Sequence, residues 1–199
     1  SPGFEQMPGY KERRLLREFS AVHGLGDPTF RQHEGRGGVM SRIDGKEVLN
    51  FGSYDYLGLN ADPRPSAAAK AAIDRYGVSA SASRLTAGER PVHRQLEHAL
   101  ARHYDVEDAL TFVSGHATNI SVIATVAQKD DLIISDSYIH NSASVGITLS
   151  GASRRSFPHN DLEALESLLA ENAGRYRATL VIVEGHYSMD GDIPDLARI

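Results

Sequence analysis

The spacing of apolar and polar residues divides the first half of the chain into short helices and one hairpin. Residues 10–24 carry their apolar side chains on one face, which predicts an amphipathic helix that ends at a glycine. Residues 39–51 hold two strand-like runs on either side of Asp44-Gly45, a hairpin signal. Helical patterns follow over 63–77 and 90–104, with a loop of small residues between them.

From about residue 108 the pattern alternates between short apolar runs and amphipathic segments. Strands are predicted at 108–113, 131–136, 154–158 and 179–185, and helices at 115–127, 140–151 and 160–174. This alternation is typical of an α/β fold with a mostly parallel sheet layered by helices. We expect an N-terminal helix and hairpin arm over 1–60, followed over 61–199 by part of an α/β domain.

Composition narrows the function classes. A net charge of −5 disfavours nucleic acid or an anionic membrane as a partner. With no cysteine in the chain, disulfides, thiolate catalysis and Cys-ligated metals are excluded. No apolar run reaches the roughly 18 residues of a membrane span, and the N-terminus has no signal-peptide core. We therefore expect a cytoplasmic protein.

Polar residues gather after three of the predicted strands, in "SGHATN", "SDSYIHNS" and "EGHYSMDGD". Ligands of α/β sheets bind beyond the carboxyl ends of the strands, so the three segments are expected to converge on one site. Ser114 would cap the next helix, and the N–H groups of Gly115 and His116 could hold a phosphate. An ordinary helix cap without a ligand is the alternative.

The other two segments allow several roles. His140 could stack on a flat ligand, could share a metal with Asp136, or could be a plain loop histidine. Glu184 and Ser188 could hydrogen-bond a ring, whereas Asp190-Gly191 is also a common turn. On the helix over 90–104, His93 and Glu97 are expected to form a surface or interhelical pair. Together these features suit a phosphorylated, flat, aromatic cofactor without identifying one.

Five segments resemble, in order, the first half of the α-oxoamine synthases, which are pyridoxal-phosphate (PLP) enzymes of fold type I. They are "NFGSYDYLGLNADP", "SASRLTAGERPVHRQLE", "FVSGHATNISVI", "IISDSYIHNSASVGITLSGASRRSFPHNDLEALESLL" and "VIVEGHYSMDGDIPDL". The resemblance implies that 61–199 is the first half of the PLP-binding large domain.

The resemblance also implies roles for individual residues. Ser114, Gly115 and His116 would seat the cofactor phosphate, and His140 would stack on the pyridine ring. Ser188 would lie near the ring hydroxyl, and Glu184 would lie beside the cofactor as a second catalytic candidate. Tyr54 and Arg84 would contact substrate, although Tyr54 stands where several members carry Asn, which leaves the acyl substrate open.

The implied reaction is a decarboxylative condensation of a small amino acid with an acyl thioester, giving an α-amino ketone. The N-terminal segment is similar to members attached to polyketide synthases, in which an acyl carrier protein replaces coenzyme A. The family resemblance further implies a homodimer. A non-catalytic partner subunit of the same fold and a sibling PLP aminotransferase are the alternatives.

The chain lacks one part that this chemistry needs, a lysine bound to the cofactor. Its four lysines, Lys11, Lys46, Lys70 and Lys129, all lie in settings typical of solvated surface lysines. We therefore expect this chain alone to be inactive. It is either a fragment of a protein about twice as long or one of two separate chains, and the fragment is favoured.

Overall fold

A computed structural model describes residues 3–25 and 30–199 of the chain. Contacts divide the chain into two compact units, residues 1–89 and 90–199. The boundary predicted near residue 60 is a different one, between the N-terminal arm and the large domain of a complete protein. It stays a prediction. The turn-rich stretch after the first helix includes residues 26–29, which lie outside the described part.

The described residues of the first unit form two α-helices and a hairpin, besides short helical turns. Helix α1 (Pro8–Val22) and helix α2 (Pro63–Tyr76) are capped as predicted, since Gly24 and Gly77 follow them with positive φ. Strands β1 (Met40–Ile43) and β2 (Lys46–Leu49) pair antiparallel. Their two-residue turn has φ of 51° at Asp44 and 72° at Gly45, the backbone that a type I′ hairpin requires.

The small-residue loop of the first unit contains one π-helical turn, Arg84–Gly88, that the sequence pattern did not predict. Gly88 closes the turn by donating its N–H to the carbonyl of Ser83, 2.9 Å away. A Cβ on Gly88 would lie 1.9 Å from the carbonyl oxygen of Ala82, so only glycine fits this backbone. The turn places Arg84 beside Glu89, with Nη2 2.9 Å from Oε1.

The second unit is a three-layer α/β arrangement. A parallel sheet with the strand order β4-β3-β5 lies between helices, as the alternating pattern predicted. In chain order its elements are α3 (Pro91–Tyr104), α4 (Gly115–Val126), β3 (Leu132–Asp136), α5 (Asn141–Ser150), β4 (Ser153–Phe157), α6 (Leu162–Asn172) and β5 (Thr179–Ile182).

Strand β3 is the centre of the core because every one of its residues is buried. Its side chains alternate between the two faces of the sheet. Ile133 joins one apolar cluster with residues of α5, including Ala143 and Ile147. Leu132 and Ile134 join the other cluster with Phe157 and Leu165. A fully buried central strand with helices on both faces is typical of a parallel sheet.

Helices α4 and α5 approach each other closely at Gly146. A Cβ at this position would lie 3.0 Å from the carbonyl oxygen of Asn119, so the small residue lets the two helices pack. This packing matters for the site because both helices begin at the carboxyl edge of the sheet.

The strand predicted at 108–113 is wrong. These residues are irregular, and they join no ladder with β3, β4 or β5. Leu110 and Val113 are exposed instead of buried between strands. An apolar run becomes a strand only where a neighbour accepts its backbone hydrogen bonds, and the described residues offer none here.

Candidate functional site

The three polar segments lie at the amino ends of α4 and α5 and after β5. Segment 114–119 starts α4, segment 135–142 runs from the end of β3 into the start of α5, and segment 184–192 follows β5. Since β3 pairs parallel with β5 and α4 packs against α5, the segments meet at the carboxyl edge of the sheet, as predicted.

Helix α4 begins with an open row of backbone donors. Ser114 caps it, with Oγ accepting from the N–H of Ala117 at 3.1 Å. The N–H groups of Gly115 and His116 are in the first turn, where no carbonyl of the helix reaches them. The space around the Gly115 Cα is open, with no atom within 4 Å of a Cβ built there. An anion could approach these donors directly.

His140 is held firmly on an exposed position. It caps α5 by accepting the Ser142 N–H on Nδ1 at 3.1 Å. The Ser142 hydroxyl lies 2.7 Å from the same nitrogen and itself accepts from the amide of Asn119. Because Nδ1 is an acceptor, the proton of the neutral ring is on Nε2. The ring is thereby fixed in both tautomer and orientation.

Glu184 connects the segment after β5 to the start of α5. Its carboxylate accepts the backbone N–H of His140. Its own N–H lies 3.3 Å from the hydroxyl of Tyr187, a side chain that is 2% exposed. Burial raises the pKa of Tyr187 to about 12, so the hydroxyl stays protonated at neutral pH. Ser188 is exposed on the same turn.

The rings of His116 and His140 meet edge to face. Their centroids are 6.1 Å apart and their planes meet at 85°. Ser114, Gly115, His116, His140 and Glu184 therefore form one group at the sheet edge. This group offers amide donors for an anion, an exposed imidazole face for a flat ring, and a carboxylate.

A second group of polar residues, which the sequence did not indicate as a group, also lies at the carboxyl ends of the strands. Asp136, at the end of β3, is 0% exposed and accepts the N–H groups of Tyr138 at 2.7 Å and Asn160 at 2.9 Å. His159 lies between two carboxylates, with Nδ1 3.0 Å from Asp136 and Nε2 2.9 Å from Asp192. We call Asp136, His159 and Asp192 the carboxylate–histidine bridge.

The bridge perturbs the pKa values of its members. Burial alone would raise the pKa of Asp136, but hydrogen bonds from Asn160, Tyr138 and His159 outweigh it and hold the pKa below its usual value. The hydrogen bond to Asp136 raises the pKa of His159 against the opposing effect of burial. The only signals in the sequence were isolated polar residues after each strand.

Glu97 and Asp136 have contacts that the sequence did not predict. Glu97 was expected to form a surface or interhelical pair with His93, but it is fully buried. Its Oε1 accepts the backbone N–H and hydroxyl of Thr111, at 3.0 and 3.1 Å. A surface location for Glu97 is therefore wrong, because helix spacing does not reveal which face the following segment covers, whereas its pairing with His93 stays a prediction. Asp136 is used by the bridge, and no group of three or more metal-ligating side chains occurs in residues 3–25 and 30–199.

The two substrate candidates belong to the first unit. Tyr54 is 88% exposed, and Arg84 is paired with Glu89 on the π-helical turn. Their part in the site stays a prediction. All four lysines are exposed, as the sequence predicted. Among the helices of the described residues, none combines the length and apolarity needed to cross a bilayer.

Comparison with known proteins is consistent across sequence and structure. A family model for class I and II aminotransferases matches residues 46–199. A Gloeobacter violaceus protein named 8-amino-7-oxononanoate synthase is 47% identical over 186 residues, which cover 93% of this chain and 48% of that protein. A protein of the same name from Microcystis aeruginosa is 45% identical over 83% of this chain and 43% of its own.

Solved structures give the same picture. Serine palmitoyltransferase from S. paucimobilis, with bound PLP-myriocin aldimine, matches with a TM-score of 0.92 and 30% identity. The match covers 99% of this chain and 49% of that one. An 8-amino-7-oxononanoate synthase from Francisella tularensis matches with a TM-score of 0.63, 28% identity, and coverage of 76% and 41%. The chain thus spans about half the length of the relatives it matches.

Proposed function

Because the chain belongs to the class I and II aminotransferase family, we propose that it is the N-terminal half of a PLP-dependent α-oxoamine synthase. The family assignment also confirms the predicted α/β fold class of PLP-dependent transferases. One observation carries the proposal: the open amino end of α4, the fixed ring of His140 and the carboxylate of Glu184 occupy one edge of the sheet.

The chemistry of these donors fits PLP. The N–H groups of Gly115 and His116, with Ser114, would hold the phosphate at the positive end of the α4 dipole. The imidazole of His140 would lie against the pyridine ring, since the residue is exposed and Ser142 holds the ring in place through Nδ1. Ser188 would lie near the ring hydroxyl. When bound, PLP supplies the electron sink of the reaction.

The proposed reaction joins a small amino acid to an acyl thioester with loss of carbon dioxide. The relatives named 8-amino-7-oxononanoate synthase and serine palmitoyltransferase support this substrate class. Coenzyme A or an acyl carrier protein would deliver the acyl group, the latter if the protein acts beside a polyketide synthase. Tyr54 and Arg84 would contact the substrate. We further propose that a homodimer in the cytoplasm carries out this reaction.

Borohydride trapping is the test of this function. The complete protein that contains these residues is loaded with PLP, reduced and mapped by peptide mass spectrometry. We expect one labelled lysine outside the 199 residues, because all four lysines here are exposed and none lies in a buried site. Carbon dioxide should then be released from a small amino acid in the presence of acyl thioesters.

The same experiment separates the alternatives. The exposed lysines also suit a non-catalytic partner subunit, which would show PLP labelling only on a second polypeptide. A sibling aminotransferase would transfer its amino group to a keto acid without decarboxylation. Labelling of Lys11, Lys46, Lys70 or Lys129 as the specific site would contradict the proposal.

The stacking role of His140 gives a separate prediction. Replacing His140 with Ala should weaken PLP binding about tenfold, because aromatic stacking contributes about 0.5–1.5 kcal/mol. His140→Phe keeps an aromatic face and should retain most of the affinity. Titration of the cofactor-free protein with PLP, followed by absorbance, measures both values. Equal affinities of the wild type and the Ala variant would exclude stacking on this ring.

A further inference from the structure

The carboxylate–histidine bridge has no part in the proposed contacts with cofactor or substrate, yet it joins three loops. His159 follows β4, Asp136 ends β3, and Asp192 follows β5. Asn160 adds a fourth contact by donating to Asp192 Oδ2 at 2.6 Å. The bridge therefore connects the carboxyl ends of all three strands of the sheet.

Hydrogen-bond chemistry sets the protonation of the ring. Ionised carboxylates only accept hydrogen bonds, and both ring nitrogens of His159 lie within 3.0 Å of one. The doubly protonated imidazolium satisfies both sides at once, whereas a neutral ring leaves one carboxylate facing an unprotonated nitrogen. The bridge is therefore complete only while His159 is charged.

Ring contacts join the bridge to the segment after β5. The ring of His159 stacks on Tyr138 with centroids 4.4 Å apart, and meets Tyr187 edge-on at 4.5 Å. Tyr187 also holds the backbone of the turn, since its N–H donates to the carbonyl of Asp192 at 2.9 Å. Movement of His159 would therefore move Tyr187.

From Tyr187 the contacts continue into the site. The hydroxyl of Tyr187 meets the N–H of Glu184, and the carboxylate of Glu184 accepts the N–H of His140. On the other side, Asp136 fixes the turn between β3 and His140 by accepting the N–H of Tyr138. Both loops that place His140 thus depend on groups that contact His159.

We propose that His159 is a positioning residue, which in its charged form sets the backbone of Glu184 and His140 through Tyr187 and Asp136. The inference rests on the proposed function in one respect, because the site that His159 would position is the proposed PLP site. His159 itself would contact neither cofactor nor substrate.

The proposal gives the positioning a pH dependence with a defined sign. The ionisable groups that face His159 are Asp136, Asp192, Tyr138 and Tyr187. Since the pKa of His159 is raised on folding, its contribution is complete below about pH 6.5 and is lost as the pH rises through the folded-state pKa. A neutral substitute in its place would remove this dependence.

Amide hydrogen exchange of His140 tests the link in the complete, cofactor-free protein. We expect exchange, corrected for intrinsic base catalysis, to accelerate as the pH rises above neutrality. His159→Gln should accelerate it about tenfold at pH 6 and abolish the pH dependence. The matched control is His103→Gln, an exposed histidine at the end of α3, which should change neither.

Two outcomes would overturn the proposal: protection of His140 that is independent of pH in the wild type, or unchanged exchange in His159→Gln. If that variant does not fold, Asp192→Asn replaces it, since it keeps the ring but removes one carboxylate charge. In that variant, the pH at which exchange of the His140 amide accelerates should be lower than in the wild type. The exchange measurement needs no cofactor, so the two proposals can fail separately. Failed PLP trapping would reject only the proposed function. Unchanged exchange of the His140 amide in the variant would reject only the positioning role of His159.

Discussion

Replacing Asp136 with Ala is expected to lower the free energy of unfolding by about 4 kcal/mol, because removing one member of a buried charged pair typically costs 3–5 kcal/mol. The carboxylate is 0% exposed and accepts from Tyr138, Asn160 and His159. Its loss leaves these donors buried without their acceptor. Chemical denaturation of the complete protein at pH 6 measures the effect.

The pH dependence of the same variant provides a second check. In the wild type the lowered pKa of Asp136 gives stability that is present above about pH 4 and is lost as the pH falls. The Asp136→Ala variant should lack this acid-side loss. Asp130→Asn, at an exposed aspartate just before β3, is the control and should unfold like the wild type. A difference below 1 kcal/mol between Asp136→Ala and this control would contradict the buried role.

The second large effect is expected at Gly88. Gly88→Ala should destabilise the first unit by about 3 kcal/mol, since the new Cβ would lie 1.9 Å from the carbonyl oxygen of Ala82. The π-helical turn must then open, and Arg84 loses its place beside Glu89. Thermal unfolding gives the stability change, and the KM for substrate tests the proposed contact of Arg84 with it.

Gly9→Ala is the matched control for this substitution. Gly9 lies in the first turn of α1, with no atom within 4 Å of a Cβ built there. Alanine is favoured over glycine in helices by up to about 1 kcal/mol, so this variant should be neutral or slightly more stable. Similar unfolding of the two variants would show that the turn at Gly88 tolerates a side chain.

The sequence predicted the helices and the parallel sheet because their signals are local. Periodicity marked α3 to α6, and the apolar runs at β3 and β5 needed only neighbours within the chain. Residues 108–113 have the same apolar character, yet they form no strand. A strand forms only beside a neighbouring strand that pairs with its backbone, and the hydrophobic pattern does not reveal whether such a neighbour is present.

The same distinction between local and distant signals applies to the site. Ser114 and Gly115 were identifiable because a helix cap after an apolar run is a local pattern, and His140 follows β3 directly. The bridge was missed because Asp136 ends β3, whereas His159 and Asp192 come from the loops after β4 and β5. Their partnership exists only once the strands are placed side by side, and each residue taken alone resembles an ordinary loop residue.

The two free edges of the β4-β3-β5 sheet differ in their resistance to self-association. Strand β4 carries Arg154 and Arg155, and charged side chains on an edge discourage another chain from pairing with it. Strand β5, with the sequence Thr-Leu-Val-Ile, has no charge and pairs on one side only within the described residues. Growth of the sheet, whether by a further strand of a longer protein or by aggregation, is therefore directed to the β5 edge.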